Sequence, residues 1–217
     1  MEANVIGATG LIGSRLVKIL LENDNFKKVR IFVRRNSGLS HPKLEVQVVD
    51  FSAENTWREF LKGDVLFSAL GTTLKQAGSK EKEYEVDFTY NLNFAKKARK
   101  NGIENYVLVS SVGADAKSRI FYTRMKGELD EAVSNLGFKN LAILRPASLT
   151  GDRDERRLME EITIPLVRFV TKFAFKKYRP IHGKTVATAM KNAALFPDYT
   201  KTIWEADEVF DLAESNN

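Results

Sequence analysis

Gly7-Ala8-Thr9-Gly10-Leu11-Ile12-Gly13 follows directly on a short apolar run, Ala3-Asn4-Val5-Ile6. The order is strand, glycine-rich turn, then a helix from Leu11 to about Glu22, with apolar residues at helical spacing. Gly7 permits the tight turn, Gly10 lets backbone N–H groups approach a pyrophosphate, and Gly13 lets the helix pack close to the strand. Thr9, Leu11 and Ile12 supply the rest of that backbone. The first turn of a helix carries N–H groups without intrahelical partners and a partial positive charge, which favours phosphate. A glycine motif alone is a weak signal. The preceding strand and following helix are the context that makes this one a dinucleotide-binding turn.

Outward from that turn, apolar and β-branched runs recur. Lys28–Val33, Leu44–Val49, Asp64–Leu70, Asn105–Ser110 and Asn140–Leu144 read as strands two to six. Ala53–Lys62, Glu83–Asn101 and Arg119–Leu136 show helical spacing between them. Strand and helix in alternation predict an α/β, doubly wound parallel sheet, the Rossmann arrangement. No Pro/Gly/Ser-rich linker divides the 217 residues, so one nucleotide-binding domain over 1–217 is expected. The C-terminal third is expected to wrap over the open end of the sheet, with about 147–184 as its substrate-side loop and helix.

Two further stretches bear on the cofactor. Arg34-Arg35 ends the second strand about 20 residues after the glycine turn, where an acidic residue would bond the ribose 2′-hydroxyl of NAD. Two guanidiniums there suit a 2′-phosphate, so NADP(H) is the expected cofactor. Asp50-Phe51 closes the third strand, where adenine contacts are expected. Ala69-Leu70-Gly71-Thr72 closes the fourth, where small residues let the chain approach the pyrophosphate and nicotinamide ribose.

Tyr122 and Lys126 stand four residues apart, on one face of a predicted helix. A neighbouring ammonium favours the phenolate form of a tyrosine, and such a phenol can exchange a proton with a carbonyl or alcohol oxygen. Lys126 can also reach the nicotinamide ribose. Ser110-Ser111 ends the fifth strand upstream, where a hydroxyl can hydrogen-bond a developing oxyanion. Either serine fits; Ser111 is favoured.

These motifs resemble the short-chain dehydrogenase/reductase superfamily, in its atypical branch, for which Gly-x-x-Gly-x-x-Gly is the usual spacing. Val109-Ser110-Ser111-Val112-Gly113-Ala114-Asp115, Phe121–Glu128, Leu144-Arg145-Pro146 and Asp152–Arg156 closely resemble the HIV-Tat-interacting-protein-like oxidoreductases. The resemblance runs over about residues 3–195. It implies Ser111, Tyr122 and Lys126 as a catalytic triad, with NADPH across residues 7–13, 34–35, 50–51 and 69–72 and Pro146 flanking the nicotinamide. The family often places a catalytic asparagine on the helix before the fifth strand. Here Asp87 occupies that place, with Asn91 one turn later.

The chain carries no cysteine and a formal net charge of +6. Disulfides, thiolate metal sites and a cysteine nucleophile are excluded, and a cytoplasmic location is expected. No His/Asp/Glu cluster has metal-ligand spacing, so no metal is expected. The basic residues are spread along the chain, which predicts a solvated surface rather than nucleic-acid binding. His41 reads as surface and His182 as structural. Leu166–Lys177 is amphipathic, aromatic and basic: a cover for the nicotinamide pocket or, with an extra assumption, a helix touching acidic lipid. Residues 148–160 suit a loop that closes over substrate. The sequence thus predicts an NADPH-dependent oxidoreductase acting on a small carbonyl or alcohol. The alternative is an NADPH-binding regulator that engages a protein partner according to redox state. An isomerase or dehydratase would need acid–base groups beyond those identified.

Overall fold

The computed structural model describes residues 1–150 and 179–215. Its sheet has seven strands: β1 (Glu2–Ile6), β2 (Lys28–Val33), β3 (Leu44–Val48), β4 (Val65–Ser68), β5 (Asn105–Val109), β6 (Asn140–Arg145) and β9 (Ile203–Glu205). Their spatial order is β3-β2-β1-β4-β5-β6-β9, all parallel, with Val5 beside Ile31 on one side and Phe67 on the other. The order reverses between β1 and β4. In open α/β sheets the crevice outside the strand ends at such a switch point is where ligands bind.

The strands are apolar on both faces because helices cover both. Alternate residues enter different cores: Val5, Ile31, Phe67 and Val107 face one layer, while Ile6, Phe32, Leu66 and Leu108 face the other. The first layer is closed by α1 (Leu11–Glu22), α6 (Gly183–Leu195) and α7 (Asp207–Glu214). The second is closed by α4 (Asn91–Lys100) and α5 (Phe121–Ser134), with Trp57 stacked on Phe94 at 3.8 Å between ring centroids. Truncating Phe94 to Ala is expected to cost about 3–5 kcal/mol in denaturant unfolding, the range for a buried aromatic.

Several sequence expectations are corrected. Ala53–Lys62 is not a helix; a single 3-10 turn spans Glu54–Thr56. The Asp50 carboxylate takes the Ser52 N–H and hydroxyl, and the Thr56 hydroxyl bonds the Asp50 and Ala53 carbonyls. Such local bonds compete with a helix, while Trp57 and Leu61 still reach the core. Glu83–Asn101 is not one α-helix either. It divides into α3 (Lys80–Tyr84), a π-helical turn at Glu85–Tyr90 and α4, after a short α2 (Leu74–Ala77). The described C-terminal residues do not wrap over the open end of the sheet. Instead α6 packs along α1, where a Cβ on Gly183 would lie 3.2 Å from Leu11 Cγ, and β9 extends the sheet beside β6. The start of the expected closing loop, β7 (Leu149–Thr150), pairs with β8 (Ile181–His182). The rest of that loop and the amphipathic stretch 166–177 lie outside the described residues.

Candidate active site

The glycine turn sits at the β1–β4 switch. Gly7 has φ +77°, and a Cβ on it would fall 2.3 Å from the Ala69 carbonyl. A Cβ on Gly13 would fall 2.0 Å from the Gly7 oxygen, so this helix packs on its own turn by having no side chain there. Gly10 is the N-cap of α1 without a side-chain cap, and the first backbone bond of the helix runs from Ser14 N–H to the Gly10 carbonyl. The N–H groups of Leu11, Ile12 and Gly13 precede that bond and point out of the helix start, as a phosphate would need. Thr9 and Gly10 are exposed at this rim. These are the features a dinucleotide demands: a cradle that side chains would fill and an uncapped helix N-terminus.

Beside it lies a cavity of about 710 Å³ lined by Arg34, Asp50, Phe51, Thr72, Lys82 and Tyr90, among others. Phe51 also packs on Tyr90 and Phe94, with centroids 5.9 and 5.3 Å away, so it is as much core as wall. Arg34 lines the cavity; Arg35 is exposed and is not among its lining residues. Lys82 and Glu85 were not expected at this end. Lys82 comes from α3 and Glu85 from the π turn after it, and both line the same cavity as Arg34, Asp50 and Thr72, which strand-by-strand reading does not reveal. Burial, then the hydrogen bond and charge of Glu85, push the Tyr90 phenol up.

The catalytic candidates lie where β4 and β5 face α5. Lys126 is buried, and its ammonium is 5.8 Å from the Tyr122 ring centroid. The same ammonium is 2.8 Å from Asp87 Oδ1. Burial opposes its charge, but Asp87, with Tyr122 and Asp130, outweighs burial and holds Lys126 above the ordinary lysine range. Asp87 Oδ2 accepts the Thr72 N–H at 2.7 Å. Asp87, at the place expected of it before the fifth strand, is therefore ion-paired with Lys126. Asn91, one turn on, bonds the backbone carbonyls of Leu70, Val86 and Asp87 and the Ser68 hydroxyl.

The two serines separate. The Ser110 hydroxyl is buried and donates to Asp130 Oδ2 at 3.0 Å. Ser111 is half-buried, with its hydroxyl 3.4 Å from the Val112 carbonyl. Asp130 also takes Arg145 Nε at 2.9 Å, and Arg145 reaches Glu205 at 2.6 Å. Burial pushes the Asp130 carboxyl up against these hydrogen bonds, and its Oδ1 has no hydrogen-bond partner among the described residues. Sequence reasoning missed this chain, although Asp130 lies one helical turn beyond Lys126. Pro146 is buried, and its carbonyl accepts the Val112 N–H at 3.1 Å, which ties the loops after β5 and β6. His182 caps α6, its Nδ1 accepting the Lys184 N–H, and His41 Nδ1 accepts the Lys43 N–H. His41 is exposed, as a surface residue would be. Among the described residues no cluster could hold a metal ion, and no helix is long and apolar enough to cross a membrane.

Fold and turn together define a pyridine-nucleotide-binding Rossmann protein. The profile of the family described as NAD(P)H-binding matches residues 7–166, and the chain belongs to that family. Within it the chain is similar to proteins called FMP52, mitochondrial. That of Eremothecium gossypii is 34% identical, covering 100% of this chain and 99% of the relative. That of Candida albicans is 38% identical over 71% of this chain and 70% of the relative. Among solved structures, the Thermus thermophilus UDP-glucose 4-epimerase in complex with NAD has a TM-score of 0.71 at 18% identity, covering 99% of this chain and 83% of that one. At that identity the likeness is one of fold. The likeness thus lies with FMP52 proteins rather than specifically with the HIV-Tat-interacting-like branch. The word mitochondrial in the relatives' names overturns the expected cytoplasmic location. Absence of cysteine was its basis, and that excludes disulfides without fixing a compartment.

Proposed function

We propose that the protein is an NADP(H)-dependent oxidoreductase acting on a carbonyl or alcohol of a small molecule. The observation that carries this reading is the placement of Tyr122 and Lys126 together on α5, with the Lys126 ammonium held by the buried Asp87 carboxylate and 5.8 Å from the Tyr122 ring centroid. Bound NADP(H) would supply or accept the hydride. Gly7, Gly10, Gly13 and the start of α1 would hold its phosphates, and the Ala69–Thr72 turn would bound its other side. Arg34 supports NADP over NAD, because a guanidinium at the end of β2 suits a 2′-phosphate and an acidic residue does not. Lys82, lining the same cavity, adds a second cation there.

In carbonyl reduction Tyr122 donates its phenolic proton to the substrate oxygen; in alcohol oxidation it takes that proton back. Lys126 orients and charges that face of α5. Ser111 would hydrogen-bond the oxygen as charge develops, since the Ser110 hydroxyl is already given to Asp130. The names of the FMP52 relatives support a mitochondrial place for this chain.

Tyr122→Phe tests the reaction. With NADPH and a panel of carbonyl compounds, the wild type is expected to oxidise NADPH. Removing a proton donor lowers such turnover by about 10²–10⁴-fold, while NADPH affinity stays within about twofold by calorimetry. A Tyr122→Phe protein that turns over like wild type overturns the assignment. Wild-type protein that binds NADPH but reduces nothing favours the redox-sensing regulator.

A further inference from the structure

Asp87 is almost wholly buried, 1% exposed, and it is carried on the π-helical turn between α3 and α4. Single π turns inside helices recur at functional sites because the extra residue re-aims a side chain. Here the two oxygens of one carboxylate serve different elements. Oδ1 lies 2.8 Å from the Lys126 ammonium on α5, and Oδ2 accepts the Thr72 N–H at 2.7 Å from the turn after β4. Both partners are donors. An asparagine would present an NH₂ to one of them, donor against donor, so an amide satisfies only half of what the carboxylate does.

The surroundings are shaped to this carboxylate. Asn91 Nδ2 donates to the carbonyls of Asp87 at 3.0 Å, Val86 at 3.1 Å and Leu70 at 3.3 Å, which pins the π turn to the end of β4. A Cβ on Gly71 would come 3.1 Å from Asp87 Oδ1, so the turn passes close by having none. Glu83, one turn earlier and also buried, has its carboxyl pushed up by burial and then by the charge of Asp87, with Lys126 and Lys80 pulling the other way.

We propose, resting on the nucleotide reading above, that Asp87 is a positioning residue: one carboxylate ties the cofactor-facing Thr72 turn to the Lys126 ammonium, so that lysine and turn are set in place together before nucleotide arrives. Its partners are Lys126, which the sequence puts within reach of the nicotinamide ribose, and the turn that the proposed function sets along one side of the cofactor.

The test is pulse-labelling of lysines with acetic anhydride, read by mass spectrometry on the full chain, together with NADPH titration. In wild type, Lys126 is expected to react at least about tenfold more slowly than exposed Lys18, since a buried, ion-paired ammonium is rarely the free amine. In Asp87→Asn, Lys126 should react at least about tenfold faster than in wild type. Lys97, paired with Glu54 away from this site, should be unchanged. NADPH affinity should fall by about tenfold, the loss expected of one charge-assisted contact. An unchanged Lys126 rate, or unchanged NADPH affinity, overturns the proposal. General unfolding would accelerate Lys97 as well, and then wild-type hydrogen exchange decides. Protection of the Thr72 amide supports the Asp87 contact, and exchange at the rate of a free loop overturns it. Wild-type protein that binds no NADPH defeats the nucleotide reading instead, while Lys126 labelling still decides the pairing.

Discussion

At the β1–β4 switch the crevice is made of backbone: three glycines, an uncapped helix start and the Ala69 carbonyl, with no ion pair in the turn. At the β5–α5 end it is made of buried charge: Asp87 with Lys126, and Asp130 with Ser110 and Arg145, the last also paired to the half-buried Glu205. A phosphate site can be assembled from peptide N–H groups because a helix start already presents them. Proton transfer cannot, because it needs titratable groups held at fixed protonation and orientation. The first end therefore depends on what is absent from side chains. The second depends on charges that are costly to bury and costlier to leave unpaired.

The comparison can be broken most severely at the backbone end. Gly13→Ala places a Cβ 2.0 Å from the Gly7 oxygen, against backbone that cannot swing away. Loss of more than about 4 kcal/mol in denaturant unfolding, or loss of folding outright, is expected of such a clash. Lys126→Met strikes the charged end. It strands the Asp87 carboxylate in a buried site and should cost about 3–5 kcal/mol, as breaking a buried pair does. The double variant Lys126→Met/Asp87→Asn should recover more than half of that by thermal or denaturant unfolding. If the two losses simply add, the pair is not the coupled unit described.

Smaller effects sharpen the contrast. Arg34→Ala should weaken NADPH binding by about tenfold, the scale of one charge-assisted phosphate contact, and leave NADH binding nearly unchanged in calorimetry. Arg35→Ala should do less, since Arg35 does not line the cavity. Glu83→Gln tests the charged end by pH. The folded-state Glu83 carboxyl is raised by burial and by Asp87. Its contribution to stability is therefore full below the ordinary glutamate range and is lost as pH rises through the raised value. Glu83→Gln should be the more stable protein at pH 8, and the difference should vanish toward pH 4 in paired thermal melts.

The same division governs what could be read before the fold was known. The spacing of Gly7, Gly10 and Gly13 encodes a local backbone path, so turn, helix and strand order were legible, as was the i,i+4 placement of Tyr122 and Lys126. Strand runs were legible because residues buried on both faces leave continuous apolar stretches. The Asp87–Lys126 pair was not. Its members belong to separate elements, and the π turn that aims Asp87 leaves no periodic signature. Trp57 and Leu61 mimicked a helical stripe over 53–62, while Asp50, Ser52 and Thr56 fixed turns that only the hydroxyl geometry reveals. Ile203-Trp204-Glu205 was too short to stand out as a strand, so Glu205 could not be joined to Arg145 and Asp130.

Calorimetric titration of the wild-type protein with NADPH and, in parallel, NADH tests the central claim most directly. A dinucleotide site at the β1–β4 switch with a guanidinium at its 2′-phosphate end predicts saturable binding of both, tighter for NADPH by about tenfold or more. Equal affinity, or preference for NADH, would contradict the role given to Arg34. Binding of neither would contradict the site itself.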